Sequence, residues 1–113
     1  MKVFCHHIYE YKKGIRNLIL HTLPARHEAE ATRKLEMNGI AYIVQHVTAE
    51  KINIFFGAEE CVDVIKQFGD TKLYDFTPEQ DFILGIMLGY GHLQQCARYL
   101  GKVEACKLKK AAS

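Results

Sequence analysis

The chain has 113 residues, 49% hydrophobic and 25% charged, a balance that suits one globular domain over 1–113 and excludes a disordered chain. With 15 Lys and Arg against 13 Asp and Glu the formal charge is +2. That is too small to imply nucleic acid, and the lysines at 102, 107, 109 and 110 read as a solvated terminus. Cys5, Cys61, Cys96 and Cys106 form no C-x-x-C pair, which excludes a zinc ribbon and a thioredoxin-type redox motif.

The opening segment Met1 to His7 lacks an apolar run of signal-peptide length, so the expected location is cytoplasmic with four free thiols. Lys2 to Tyr9 and Asn17 to Leu23 are rich in β-branched, aromatic and apolar side chains. With Lys12-Lys13-Gly14 as the turn between them, they predict an N-terminal hairpin. Pro24 then stands where a first helical residue is tolerated, and a helix is expected from Ala25 to Asn38, stopped by Gly39, with its apolar stripe through Ala25, Ala29 or the aliphatic stem of Glu28, Thr32 and Leu35.

Ile40 to Val47 and Lys51 to Phe56 predict two strands joined by Thr48-Ala49-Glu50. Both faces of the first carry apolar side chains, so both require cover. Gly57 opens a second helix to about Phe68, with Cys61, Val62, Ile65 and Phe68 at helical spacing. Gly69-Asp70 ends it, and Leu73 to Phe76 is expected as a short strand.

Thr77-Pro78-Glu79-Gln80 carries the order of a capping box with proline in the first turn. One long helix is predicted from there to Leu100, with Gly101 as its stop. Its longest apolar run, Phe82 to Tyr90, is about half the length that crosses a bilayer, so no membrane association is expected. The first half is apolar all round, which points to packing on the sheet and against a second copy, a homo-oligomer. The fold class that follows is α+β: a ferredoxin-like antiparallel sheet with an added N-terminal hairpin strand and a long C-terminal helix.

Chemistry is sought first among the histidines. The hairpin register would set His6 opposite His21, a two-imidazole metal pair that His46 or His92 could complete. Cys5 and His7 would share the other face as a thiolate–imidazole pair. No orienting carboxylate or oxyanion hole accompanies them, so no catalytic residue is assigned and no cofactor is expected. Gly85, Gly89 and Gly91 each cost a helix about 1 kcal/mol against alanine. Either they form a smooth packing stripe, the favoured reading, or Gly89-Tyr90-Gly91 breaks the helix and His92 begins another, giving Gly89, Tyr90, Gly91 and His92 as a ligand site with backbone donors. The turn bearing Lys12, Lys13 and Arg16, flanked by His6 and His7, is the candidate partner-binding surface.

The segments Val3-Phe4, His6-His7-Ile8-Tyr9-Glu10-Tyr11, Lys13-Gly14, Arg16-Asn17-Leu18 and His21-Thr22-Leu23 have a distinctive wording. So do Leu84-Gly85, Leu88-Gly89-Tyr90 and Gln94-Gln95-Cys96-Ala97-Arg98-Tyr99. Together they resemble the bacterial domain-of-unknown-function family 2023, over essentially the whole chain. The resemblance implies no assigned activity, ligand or catalytic residue. It does imply members near flavodoxin genes, and hence a role as accessory to a flavodoxin-type electron carrier, the basic turn facing an acidic flavodoxin surface. The chain carries no flavin-binding loop of its own. The expected function is therefore a non-enzymatic binding or regulatory module, with the flavodoxin accessory and a histidine-based metal-binding redox protein as the alternatives.

Overall fold

Phe4, Ile8 and Tyr11 recur at helical spacing, and that stripe decides the conformation of the N-terminus. In the computed structural model, which describes residues 1–112, Lys2–Lys12 is a helix, α1, and not the strand of a hairpin. Strand alternation would have put His6 on the buried face with Phe4 and Ile8; the helix turns it outward. Gly14, at φ +75°, ends α1 in a left-handed conformation that suits glycine.

The remaining elements are β1 (Leu18–Pro24), a 3-10 turn (Ala25–His27) leading into α2 (Glu28–Met37), β2 (Ala41–His46), β3 (Lys51–Gly57) and α3 (Glu59–Lys66). After them come a second 3-10 turn (Leu73–Asp75), α4 (Pro78–Met87) and α5 (His92–Ala112). The sheet is antiparallel with the order β1-β3-β2. Leu18 pairs with Gly57 and Leu23 with Ile52 on one side of β3, Tyr42 with Phe56 and His46 with Ile52 on the other. β3 is therefore central, and Ile52 through Gly57 are all buried.

Each face of the sheet has its own core. Phe4 and Ile8 from α1 and Ala31 and Leu35 from α2 pack with Ile19, Ile54 and Phe56 on one face. Val62 and Ile65 from α3, Leu84 from α4 and Leu88 just after it pack with Leu18 and Phe55 on the other. The molecule is thus three layers, helices on both faces of an α+β sheet, with α5 laid against α4. In α2 the buried partner of Leu35 is Ala31. Thr32, expected there, is partly exposed and donates its hydroxyl to the Glu28 carbonyl at 3.0 Å.

Two expected strands are absent from the described residues. A ferredoxin-like sheet needs a fourth strand beside β1, and neither the N-terminal segment nor Leu73–Phe76 fills that place. The latter is drawn to the opposite edge: Gln45 donates Nε2 to the Thr71 carbonyl at 2.8 Å and Lys72 donates to the His46 carbonyl. Phe76 then stands edge-on against Phe68, ring centroids 5.3 Å apart, in the core under α3. Aromatic packing and a single-turn 3-10 bend use these residues better than a four-residue strand would.

The capping box forms as the sequence requires: the Gln80 amide donates to Thr77 Oγ1 at 3.1 Å and the Thr77 amide to Gln80 Oε1 at 3.0 Å. The helix it starts does not reach Leu100. It ends at Met87, Leu88 is its C-cap, Gly89 takes φ +90°, and α5 starts at His92. Nor does Gly101 stop α5, which continues through it to Ala112. Among the described residues no helix is long and apolar enough to cross a membrane.

Candidate functional site

α1 lies on the sheet with Phe4 at the contact: its ring sits 5.4 Å from Phe56 and 5.7 Å from His21, centroid to centroid. One turn further along, His7 meets His21 edge-on at 5.1 Å. The imidazole facing His21 is therefore His7, not His6. His6 is exposed, with Nε2 3.7 Å from Glu10 Oε1 and its ring against Tyr9. The hairpin that would have set His6 opposite His21 does not exist. Cys5 is exposed, and two helical positions from His7 it points to a different side of α1.

Among the described residues no three His, Cys, Asp or Glu side chains are grouped to hold a metal ion. His46 lies on β2, with β3 between it and β1, and its Nε2 is 3.4 Å from Glu28 Oε1. His92 starts α5.

His7 Nδ1 lies 3.1 Å from Glu10 Oε1, and that contact holds the Glu10 carboxyl below its ordinary range, helped by the nearby charges of His6 and Arg16. His21 is lowered as well, first by burial and then by repulsion from His7. The folded state thus favours neutral His21, while the unfolded chain takes up the proton near 6.5. The stabilisation is fully present above that value and is lost as pH falls below it. Imidazole titration by NMR should place the His21 midpoint below 6.5 and move it upward in a His7→Ala variant. A midpoint at or above the ordinary value would refute the packing of these two rings.

The C-terminal turn of α1 gathers the cations. Lys12 donates to Asn38 Oδ1 at 3.0 Å, and Lys13 Nζ stands 5.5 Å over the Tyr9 ring. Their charge complements the carbonyl end of the helix. Ile15 follows, 64% exposed, the one large hydrophobe in an otherwise polar turn. This turn abuts the elbow between α4 and α5. Ile15, Arg16 and Asn17 on one side and Ile86 through Tyr90 on the other line a single open groove of about 550 Å³.

The fold thus brings the basic turn and the glycine-bearing elbow into one site. Arg16, Gly89 and Tyr90 line it; Gly91, His92, Lys12 and Lys13 neighbour it in sequence; His6 and His7 stand back on α1. Ile15, Asn17 and Met87 escaped the sequence reading, although an isoleucine amid Lys-Lys-Gly and Arg-Asn is itself a signal of an exposed apolar contact. A larger depression of about 820 Å³ lies where Pro24 and Arg26 meet Glu50 and Lys51. It offers mixed charge and no aromatic, whereas the groove combines Arg16 and Tyr90 with the exposed Ile15 and the half-buried Ile86 and Met87; arginine and aromatic side chains are the types that anchor interfaces.

The elbow is held by pairs across the two helices. Arg98 donates to both Asp81 carboxylate oxygens at 2.8 and 3.1 Å, which holds the Asp81 carboxyl below its usual range. The Tyr99 hydroxyl donates to Glu79 at 2.9 Å, which raises the phenol. Gly85 leaves room for the buried Gln95: a Cβ there would stand 1.9 Å from Gln95 Oε1. Close packing at Gly85 and a break at Gly89 are therefore both present, one glycine serving each.

No curated protein matches the chain. A family model does, over residues 2–102, a span that takes in α1, the whole sheet, α2 through α4 and the first half of α5. Both walls of the groove and the His7–His21 contact lie inside that span, and the chain belongs to the family described as Protein of unknown function (DUF2023).

Proposed function

We propose that the protein is a non-enzymatic binding or regulatory module that docks an acidic protein partner at the groove between the α1–β1 turn and the α4–α5 elbow. The observation that carries this reading is the meeting of Arg16 and Tyr90 in one groove, with exposed Ile15 beside them. Arginine supplies a forked cation for a carboxylate, and tyrosine and isoleucine supply contact area. Lys12 and Lys13 extend the positive field and speed encounter. Four free cysteines suit a reducing, cytoplasmic setting. The strand order β1-β3-β2 is the one these strands take in a ferredoxin-like sheet, but that fold packs both of its helices on one face, whereas here α2 and α3 cover opposite faces, so the likeness we read is one of strand order alone.

A flavodoxin-type electron carrier is the acidic partner to test first. Exchanging Lys12, Lys13 and Arg16 together for Glu should weaken its capture on an affinity surface by at least about 10-fold, with the wild-type association rate falling steeply with salt. Far-UV circular dichroism should be unchanged, because all three side chains lie at the surface or its edge. Equal capture by the reversed variant would overturn the assignment of this groove.

A further inference from the structure

Gln95 is 4% exposed, yet among the described residues its carboxamide makes no hydrogen bond. It sits on the side of α5 that meets α4, where Gly85, having no Cβ, lets it lie against the α4 backbone. A methionine would fill the same space without taking an amide out of water, so a buried carboxamide with no partner in the chain calls for a reason. Gln45 Oε1 also lacks a partner, but it is sealed from solvent. The Gln95 amide is not sealed: it opens onto a cleft of about 390 Å³ between α4 and α5.

The walls of that cleft select a chemistry. Arg98 gives two of the five N–H groups of a guanidinium to Asp81, and the others remain to donate. Asp81 is held in its charged form by the same contact, so the pair cancels and the cleft suits a neutral ligand. Leu84 and Leu88 add an apolar wall, and Tyr90, 54% exposed, offers a ring for stacking. A carboxamide presents a donor and an acceptor side by side. Its complement is an N–H beside a C=O on one edge of the ligand, the cis-amide of a lactam or imide ring, which pairs with it through two parallel bonds. An imide has a second carbonyl on the far side of the N–H, an acceptor for the remaining Arg98 donors.

We propose that the cleft between α4 and α5 binds a neutral, planar heterocycle through an imide edge of the kind a uracil ring carries. Gln95 pairs with that edge, Arg98 donates to the second carbonyl and Tyr90 packs on the ring. The cleft lies in the size range of small-molecule sites and leaves room for a substituent on the ring. Leu88 and Tyr90 line both this cleft and the partner groove, but the ligand site does not rest on partner docking and its test needs no partner.

Uracil is the probe. In nitrogen–proton correlation NMR of the full chain, the Gln95 side-chain amide and the Arg98 Nε–H should shift together and saturate, with a Kd of about 1 mM or tighter, as a ligand of this size allows. Dimethyluracil, methylated on both ring nitrogens, keeps the carbonyls but has no N–H, and should bind at least about 10-fold more weakly. Gln95→Met keeps the volume and removes the amide. It should lose uracil binding by a similar factor while its thermal midpoint stays at or above that of wild type, because no hydrogen bond within the chain is lost. Uridine then separates two sources of the same edge: tighter binding than uracil assigns the cleft to a nucleoside, weaker binding to a free base. Absence of a saturable shift at Gln95 with uracil overturns the proposal, as does equal binding of dimethyluracil or undiminished binding in Gln95→Met. A marked loss of stability in Gln95→Met also overturns it, since the carboxamide would then serve the fold.

Discussion

Gly57→Ala should cost the fold about 3 kcal/mol or more, read as a lower midpoint in urea with little change in slope. Gly57 ends β3 at φ +147°, a conformation that side-chain-bearing residues rarely adopt, and an added Cβ would lie 2.2 Å from the Asn17 carbonyl oxygen. The obstruction is backbone, so it cannot rotate away. That same carbonyl accepts from the Ala58 amide at 2.8 Å, so any shift that relieves the clash strains the bond joining the end of β3 to the start of β1. A variant as stable as wild type would mean that the β1–β3 junction is looser than this geometry.

Phe4→Ala should cost about 3–5 kcal/mol, the range for emptying a buried aromatic site. Phe4 is fully buried and touches both Phe56 and His21, so it fixes α1 to the sheet. Its loss has a second readout. With α1 loosened, His21 regains water and loses the nearby His7, and its titration midpoint should rise toward the ordinary histidine value. Destabilisation without that rise would mean that His21 is buried by something other than α1.

How far the sequence reached depended on where each segment's information lay. β2, β3, α2 and α3 were legible because alternation or helical spacing was bounded by Gly39, Gly57 and Gly69, and the Thr77 cap because its partners are local. α1 was not: Val3, Phe4, Ile8 and Tyr9 favour a strand by type, and only the Phe4–Ile8–Tyr11 spacing, realised against Ile19 and Phe56, makes it a helix. The break at Gly89 was visible as an alternative but lost to the strong cap upstream. Gly101 carried the reverse error, since a glycine ends a helix only when its surroundings let the chain turn. For the site, Arg16 and Tyr90 were each singled out, but nothing local announces that they share a groove. Their meeting follows from β1 lying against the face that α4 covers, a property of the whole fold.

The position of β3 between β1 and β2 also governs the order in which the chain can assemble. As the polypeptide emerges from a ribosome, both outer strands appear before the one that joins them, and they are not neighbours in the finished sheet. Until Lys51–Gly57 is available there is no sheet to build. Once it is, the β2–β3 hairpin closes over a loop of a few residues, whereas β1 must be brought back across the whole of α2 and β2. The local hairpin is thus the natural nucleus, and addition of β1, with α1 attached to it through Phe4, is the slower, longer-range step.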